Sequence, residues 1–355
     1  MPILLALSSC DSKPPAPTKR LLFPMLAARQ DDIDSLRLRG AGNAALVTIA
    51  RKNRTWRVAE RGDWPADAAR ISQYLFLLSQ AHGAEAKTVD PKLFARLGVE
   101  PIARADATGI ELQLSGAGIH WRLLIGHEHP KLDANYVRVD DQAQTWLTDL
   151  PVGFDRNPVA WLDRRLLDLP LARVATVQVS AGPGAGFSLS HRDDRFRLDG
   201  VPSAAMHDSQ LGDKLASVLD QLQLEDLAGD DGLMKPERTL HFTSVDGVQV
   251  SLQAWHAGER VWTRIECSFD PARAAAWAAH AGSGAATAQG SHAGSAAATA
   301  QVLQAGSGAA SAQSLQQQVS DWNQRFHGRR FQVSAAVGST LMLGRDEILA
   351  GTPAQ

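Results

Sequence analysis

The chain contains the same order of elements twice, three short strands followed by a helix, and this repeat restricts its fold more than any other feature. In the first copy, alternating apolar and polar residues predict strands at IDSLRLR, ALVTIAR and TWRVAE (33–39, 45–51 and 55–60). A helix follows, because Ile71, Leu75 and Leu78 have the i, i+4, i+7 spacing of one helical face.

The second copy begins about 140 residues later along the chain. Its predicted strands are VATVQVS, GFSLSH and RFRLDG (174–180, 186–191 and 195–200), and its helix is predicted over about 204–223. The apolar face of that helix would be formed by Leu211, Leu215, Val218 and Leu222. When the two copies are aligned, Ile33 corresponds to Val174.

The correspondence continues beyond the helices. GIELQLS and WRLLIG (109–115 and 121–126) match TLHFTSV and VQVSLQAW (239–245 and 248–255), and the segments at Tyr136 and Trp146 match the one at Trp262. We therefore predict an α+β fold of two tandem duplicated modules, each an antiparallel sheet of about five strands packed with one main helix. Chance similarity between two alternating patterns is the alternative.

The predicted domain organisation has six parts. They are a lipoprotein-like signal remnant and tether (1–30), module A (31–150), an interface connector (151–170), module B (171–270), a low-complexity insertion (271–316), and a closing helix and strand of module B with a tail (317–355). In the connector, Trp161, Leu162, Leu166 and Leu167 are interspersed with charges and predict a short amphipathic helix at the module interface. A solvated helix with paired charges is the alternative.

The insertion is rich in alanine, glycine and serine. Three tandem twelve-residue copies begin at His280, His292 and Gln304. Because each copy contains glycine, we expect a disordered surface insertion and not a solenoid. The histidines belong to the repeat, and a metal role for them is not favoured.

Composition excludes several classes of protein. Lys and Arg number 36 against 38 Asp and Glu, a net charge of −2, so no basic excess is present to bind nucleic acid. Hydrophobic residues at 44% and charged residues at 21% are typical of a globular protein. The two cysteines, Cys10 and Cys267, are too few for a disulfide framework or a cysteine-rich zinc site.

The amino terminus has the pattern of a targeting segment. An apolar run from Ile3 to Leu7 precedes Leu7-Ser8-Ser9-Cys10, which resembles the bacterial lipobox and predicts lipidation of Cys10. Asp11 then resembles the signal that retains lipoproteins at the inner membrane, and the proline-rich residues 11–20 would form a stiff extended spacer. The segment lacks a basic beginning and is shorter than secretory signals of roughly 15–30 residues, which a start codon assigned too late would explain. A cytosolic protein with a mildly apolar start is the alternative.

The candidate chemical motifs favour structural interpretations. His127-Glu128-His129 has two closely spaced imidazoles but no further ligands in the sequence pattern, and a surface turn is favoured. Gly182-Pro183-Gly184-Ala185-Gly186 precedes a strand and not a helix, so it predicts a hairpin turn and not a phosphate loop. Ser188 and Ser203 lack the glycines of a nucleophile elbow.

The remaining candidates are also explained without catalysis. Cys267 lies in an alternating strand and is expected to be buried and unreactive. The acidic pairs at Asp31, Asp193 and Asp230 are typical of turns. Trp56, Trp121 and Trp161 are expected in the core or in module contacts. No catalytic, cofactor-binding or metal-binding residue is predicted, and no cofactor.

Several separate segments together resemble a known family. They are Phe23-Pro24, Asp90-Pro91, Leu97-Gly98, Ile125-Gly126, Tyr136-Val137-Arg138 and Trp161 through Leu167. In this order they resemble the bacterial domain-of-unknown-function 4340 family over about residues 21–270. The resemblance implies an envelope protein anchored at the inner membrane, often encoded beside ABC transporter subunits of the gliding-motility auxiliary type. It implies no catalytic residues.

We therefore expect a non-enzymatic accessory or binding subunit of an ABC-type envelope transport system. It would be lipid-anchored at the inner membrane on the periplasmic side, with transporter membrane or auxiliary subunits as partners and no nucleic acid. An envelope hydrolase or other enzyme with a site in the cleft between modules is one alternative. A stand-alone ligand-binding module with one sizeable apolar pocket is the other.

Overall fold

The computed structural model describes residues 19–181, 186–192, 194–202, 210–287 and 312–350. The chain divides into two compact units, Met1–Asp163 and Arg164–Gln355. Both combine a large antiparallel sheet with helices, which confirms the α+β class. The predicted targeting segment and its spacer up to residue 18, Cys10 included, lie outside the described residues, as does most of the twelve-residue repeat.

The first unit contains β1 to β10 and α1 to α3. In chain order these are β1 (Arg20–Leu21), α1 (Leu26–Arg29), β2 (Ser35–Arg39), β3 (Ala45–Lys52), β4 (Thr55–Val58), β5 (Trp64–Pro65), α2 (Ala68–Gln80), β6 (His82–Ala86), α3 (Phe94–Leu97), β7 (Ile110–Gly116), β8 (Ile119–Glu128), β9 (Asn135–Val139) and β10 (Thr145–Thr148).

These strands form one sheet in the order β1-β6-β10-β9-β8-β7-β2-β3-β4-β5. Leu36 of β2 pairs with Ile49 of β3 on one side and Leu114 of β7 on the other, and all three are buried. Asp67 caps α2 by accepting a hydrogen bond from the Arg70 backbone nitrogen at 3.0 Å. Helix α2 buries the predicted face of Ile71, Leu75 and Leu78 in the core of this unit.

The second unit contains β11 to β20 and α4 to α8. They are β11 (Arg165–Leu167), β12 (Val174–Ala181), β13 (Phe187–Arg192), β14 (Arg195–Leu198), α4 (Leu211–Ala216), β15 (Leu222–Gln223), β16 (Asp226–Gly229), β17 (Arg238–Ser244), β18 (Val248–Ala257), β19 (Arg260–Phe269), α5 (Pro271–Thr287), α6 (Ala312–Phe326), β20 (Arg329–Gln332), α7 (Ala335–Leu341) and α8 (Arg345–Ala350). The main sheet has the order β14-β13-β12-β17-β18-β19-β20-β16, and β11 pairs separately with β15.

The estimate of about five strands in each sheet is wrong. The sheets of the described residues have ten and eight strands, because short edge strands such as β1 and β16 are too brief to give a clear alternating pattern. The closing helix and strand expected over 317–355 correspond to α6 and β20, and β20 completes the second sheet between β19 and β16.

Two predicted helices differ in the structure. The helix expected over 204–223 is helical only from Leu211 to Leu219, since Leu222 forms β15; residues 203–209 lie outside the described residues. The connector helix is wrong as well. Pro158–Trp161 form a 3-10 turn capped by Asn157, and Arg165–Leu167 extend to pair with β15, so tertiary strand pairing replaces the local helical pattern.

The insertion is not disordered at its two ends. Residues 271–287 form α5 and residues 312–316 belong to α6. Alanine has the highest intrinsic helix propensity, and Asp270 accepts hydrogen bonds from the backbone nitrogens of Ala272 and Arg273 at 3.0 Å, which starts α5. Residues 288–311, with His292 and Gln304, lie outside the described residues.

Candidate functional site: a polar groove in the second unit

A groove of about 380 Å³ runs between the end of α4 and the beginning of α7 in the second unit. One wall consists of Lys214, Ser217 and the turn that leads into β15. The other wall consists of Ser334, Val337 and Thr340. Its volume is at the small end of the range for ligand sites. Eight of its twelve lining residues have polar or charged side chains, and the others add apolar surface, a mixture that suits a segment of another protein.

The connector between the units positions one wall of this groove. Arg165 and Leu167 of β11 pair with Gln223 and Leu222 of β15, and Asp168 accepts a hydrogen bond from the Gln221 backbone nitrogen at 3.1 Å. Gln221 has a φ of 51°, a left-handed conformation that is uncommon for residues other than glycine. The Asp168 carboxylate therefore stabilises a strained turn that places Gln221 and Gln223 at the groove.

The lining offers hydrogen bonds and charges of both signs. Gln221 and Gln223 supply amides, and Ser217 and Ser334 supply hydroxyls. The lining carries the positive charge of Lys214 and the negative charges of Asp220 and Glu225. Glu225 Oε2 also lies 3.8 Å from Arg164 Nη1. Such a set can bind the backbone and polar side chains of an extended peptide. The groove lining contains no His or Cys.

A second depression of about 500 Å³ shares Lys214 and Ser217 with the groove. Arg195 and Asp213 also line it, and Asp213 accepts a hydrogen bond from the Phe196 backbone nitrogen at 2.7 Å. This bond ties α4 to β14, so the helix that carries Lys214 is fixed to the edge of the main sheet.

The structure places the predicted histidine motif in local hydrogen bonds. His127 Nε2 lies 3.1 Å from Thr108 Oγ1, and His129 Nδ1 accepts a hydrogen bond from the Lys131 backbone nitrogen at 3.3 Å. Among the described residues there is no group of three or more His, Cys, Asp or Glu side chains arranged to hold a metal ion. His280 lies on α5, with Nδ1 2.7 Å from the Ala276 carbonyl oxygen.

Ser188 is not arranged as a nucleophile. Its hydroxyl donates to Asp199 at 2.8 Å, Ser190 donates to the same carboxylate at 2.6 Å, and Arg192 lies 2.8 Å from it. These bonds, that of Ser190 above all, lower the pKa of Asp199. The glycine-rich segment before Ser188 connects the antiparallel pair β12 and β13, although residues 182–185 lie outside the described residues, as do Asp193 and Ser203.

Cys267 is buried in β19, as expected. Its backbone is fixed by Asn323, which accepts from the Cys267 nitrogen at 2.9 Å and donates to the Cys267 carbonyl at 2.7 Å. Burial raises the pKa of the thiol to about 12, so the reactive thiolate is scarce at neutral pH.

The two acidic pairs that are fully described lie at turns, but Asp230 has a second role. Asp31 and Asp32 lie in a 3-10 turn, and Asp230 and Asp231 accept from the Gly232 and Leu233 backbone nitrogens. Asp230 is also paired with Arg264 of β19, whose guanidinium stacks on Trp255. The hydrogen bond from Arg264 is the main cause of the lowered pKa of Asp230.

The three tryptophans expected in packed positions are in packed positions. Trp56 and Trp161 are buried, and Trp161 stacks on Phe154 with 4.2 Å between ring centroids. Trp121 is partly exposed and stacks on Phe23 at 5.5 Å. These contacts explain the three tryptophans as packing residues.

Three of the motifs that carried the family resemblance meet around one turn. Gly98 ends α3 with a φ of 70°, and a Cβ on Gly126 would lie 2.0 Å from the Leu97 carbonyl oxygen. Arg138 donates to the Val99 carbonyl at 3.2 Å and stacks over Phe94. These segments therefore hold the first unit together, and burial lowers the pKa of the Arg138 guanidinium.

The groove was not predicted from the sequence. Its residues come from two segments, 214–225 and 334–340, which are more than 100 residues apart in sequence and carry no spacing motif. The only local signal is the run of polar residues around Gln221, which is equally typical of a surface turn. No described helix has the length and apolar character that crossing a bilayer requires.

The comparisons with known proteins give one match. A family model described as a domain of unknown function, DUF4340, matches residues 56–239, just over half of the chain, from β4 to β17. This range is narrower than the resemblance, and it excludes Phe23-Pro24. Neither a curated protein nor a solved structure matches the chain. The matched range includes the motifs around Gly98, Gly126 and Arg138, and the chain therefore belongs to the DUF4340 family.

Proposed function

We propose that the protein is a non-enzymatic, membrane-tethered accessory or binding subunit of an ABC-type envelope transport system. Its partners are membrane or auxiliary subunits of the transporter. The observation that carries the binding role is the polar groove between α4 and α7, where Lys214, Gln221 and Gln223 line a surface suited to a peptide segment.

The tether is the part of the proposal that rests on the sequence. Leu7-Ser8-Ser9-Cys10 supports lipidation of Cys10, and Asp11 supports retention at the inner membrane on the periplasmic side. A tether raises the effective concentration of the groove at a membrane partner, so contacts that are weak in solution suffice.

We also propose that the two units arose by duplication. Eight strands of the first sheet, β6-β10-β9-β8-β7-β2-β3-β4, have the same order as β16-β20-β19-β18-β17-β12-β13-β14 of the second. The pairing registers agree, because Leu36 pairs with Ile49 as Val177 pairs with Leu189. In this alignment β10, which contains Trp146, corresponds to β20. The sequence pattern matches it instead to the segment at Trp262, which lies in the neighbouring strand β19.

The same alignment accounts for the insertion. A short turn connects β9 and β10, whereas α5, the alanine-rich repeat and α6 connect their counterparts β19 and β20. The added residues therefore interrupt a hairpin of the second unit without changing its strand order.

The binding role is tested by capture from membranes. The full chain carries a carboxy-terminal tag, is crosslinked in cells of its own source and is purified from detergent extracts. Lys214→Glu combined with Gln223→Glu alters two exposed side chains of the groove, and Ser339→Glu alters an exposed residue of α7 outside it.

The expected result is recovery of ABC transporter subunits with the unaltered chain and with Ser339→Glu, and about tenfold less with the groove variant. Cys10→Ala is expected to reduce recovery through loss of the tether. Equal recovery with the groove and control variants would assign the interaction to another surface. Recovery of no transporter subunit with the unaltered chain would refute the proposed partner.

A further inference from the structure

Two large apolar side chains of the first unit are exposed on its helices. Met25, directly before α1, is 57% exposed, and Phe76, on α2, is 62% exposed. The neighbouring α2 residues Tyr74, Leu75 and Leu78 are buried, so Phe76 is the large apolar residue on the opposite side of the helix. Burial in the core of this unit does not explain either exposed side chain.

Met25 and Phe76 belong to one helical layer. The Leu22 backbone nitrogen donates to the Ala81 carbonyl oxygen at 2.9 Å, and Gln30 Nε2 lies 3.4 Å from Ser79 Oγ. The segment that contains Met25 therefore runs beside the end of α2 that carries Phe76. We call the exposed side of this layer, defined by Met25, Phe76 and the exposed residues between them, the α1–α2 face.

The α1–α2 face is short of charge. Residues 24–30 and helix α2 contain no Asp or Glu, and each contains one arginine. Arg29 is paired with Asp32 at 2.7 Å, and Arg70 lies 3.5 Å from Asp155. The other exposed residues are small or uncharged, and they are Pro24, Ala27, Ala28, Ala68, Ala69, Ser72, Gln73 and Gln80. Apolar contact, and not charge, would dominate binding to this face.

The path of the chain brings this face close to the predicted lipid anchor. Lys19 is the first described residue, and Met25 follows it by six residues. The nine residues from Cys10 to Lys19 can span at most about 30 Å, since an extended chain advances roughly 3.3–3.6 Å per residue. A lipid on Cys10 would hold Lys19, directly before β1, within that distance of the bilayer, and the helix layer begins only a few residues later.

We propose that the α1–α2 face docks on the lipid surface, with Phe76 and Met25 at the boundary between headgroups and acyl chains. The inference rests on the proposed tether for its place in the cell. Two apolar side chains bind weakly by themselves, and the tether makes such a contact effective. Because both arginines of the face are paired with aspartates, its own contact with lipid is expected to depend only weakly on salt, unlike that of a basic patch.

The test uses the full chain held on vesicles independently of lipidation. The Cys10→Ala chain carries an amino-terminal hexahistidine tag and binds vesicles of phosphatidylethanolamine, phosphatidylglycerol and a nickel-chelating lipid. An environment-sensitive fluorophore is placed at Phe76→Cys or, as a matched control, at Leu132→Cys, which is 53% exposed in the same unit. The buried Cys267 thiol does not compete for the label.

The emission maximum of the fluorophore at position 76 is expected to shift to shorter wavelength when the chain binds vesicles. Nitroxide lipids are expected to quench it at least about twofold more than the fluorophore at position 132, both in low salt and in about 1 M NaCl. A second chain, labelled at Met25→Cys, is expected to lose this quenching when Phe76→Glu is added. Equal quenching at 76 and 132 would overturn the proposal. A blue shift without vesicles that grows with protein concentration would assign the face to a second copy of the chain, and would overturn it as well.

A separate measurement tests whether Cys10 carries the proposed lipid anchor. Mass spectrometry of the chain purified from membranes of its own source reports whether Cys10 carries acyl groups. An unmodified Cys10 refutes the proposed anchor while the vesicle result still decides whether the face binds lipid. An acylated Cys10 with no quenching at position 76 refutes the face and leaves the anchor standing.

Discussion

The pairing of Asp230 with Arg264 shows how one residue supports two neighbouring structures. The Asp230 carboxylate is bonded to the Gly232 backbone nitrogen in its own turn and to the guanidinium of Arg264 on β19. Its side chain is 5% exposed and that of Arg264 is 17% exposed. Removal of the carboxylate leaves a partly buried cation without its partner, which is costly in a protein interior.

We expect Asp230→Asn to lower the free energy of unfolding by about 2 kcal/mol. Denaturation followed by circular dichroism measures the change. Asp231→Asn is the matched control, because Asp231 is exposed, hydrogen-bonds its own turn and has only a weaker charge interaction with Arg264; its cost is expected to stay below about 1 kcal/mol. Equal costs would show that the ion pair adds nothing to the turn.

The effect of Asp230 depends on pH with a definite sign. Its pKa is lowered in the folded chain, mainly by the hydrogen bond from Arg264, so the folded state binds a proton less readily than the unfolded state. The stabilisation is complete above the unfolded pKa of about 3.9 and is lost as the pH falls through the lower folded pKa. The difference between the original chain and Asp230→Asn should therefore be constant from about pH 7 to 5 and shrink below about pH 4. A difference that grows in acid would contradict this assignment.

The buried thiol gives a further residue-scale prediction. In the Cys10→Ala chain at neutral pH, Cys267 is expected to resist an aromatic disulfide reagent while folded and to react fully in denaturant, because burial raises its pKa to about 12. Absorbance of the released thiolate measures both states. Rapid reaction of the folded chain would show that β19 opens easily.

At the scale of elements, the contact between the end of α3 and β8 depends on glycine. A Cβ on Gly126 would lie 2.0 Å from the Leu97 carbonyl oxygen. Gly126→Ala must therefore displace either strand β8 or the turn at the end of α3. We expect it to destabilise the chain by about 2 kcal/mol in thermal or chemical denaturation.

Gly153→Ala is the control for that substitution, because the nearest atom to its added Cβ is 4.0 Å away. Its expected effect is below about 0.5 kcal/mol. If Gly126→Ala and Gly153→Ala lower the free energy of unfolding equally, the short distance between Gly126 and the Leu97 carbonyl oxygen does not explain the requirement for glycine.

Elements with a regular pattern could be predicted from the sequence, and the shortest elements, of two or three residues, could not. β3, β12 and β13 were located because several residues alternate, and α2 because three apolar residues share a face. β11 has only Arg165–Leu167, and its extended conformation is stabilised by β15, more than fifty residues later in the chain. Local pattern carries no information about such a partner.

The same limit applies to the groove. Trp161 and Cys267 were assigned correctly because burial follows from residue type and alternation. Gln221 and Val337 meet only because α4, β15 and α7 are brought together by the fold, and their residue types are ordinary at surfaces. A binding groove of amides and hydroxyls has no sequence signature comparable to that of a metal site.

At the scale of the whole molecule, each unit has its own sheet and its own buried core. We therefore expect residues 1–163, expressed alone, to fold, because domains with a separate core are usually able to fold alone. Cooperative thermal unfolding and dispersed amide resonances would confirm this expectation. A fragment that binds hydrophobic dyes and unfolds gradually would contradict it.

The position of β20 has a consequence for how the chain can be divided. This strand is hydrogen-bonded to β19 on one side and β16 on the other, although a long segment separates it from β19 in sequence. If the chain is cut within that segment, the sheet of the first fragment lacks the strand between β19 and β16. The second fragment carries that strand, β20. Backbone pairing on both sides of β20 would then make the pair suitable for split-protein complementation.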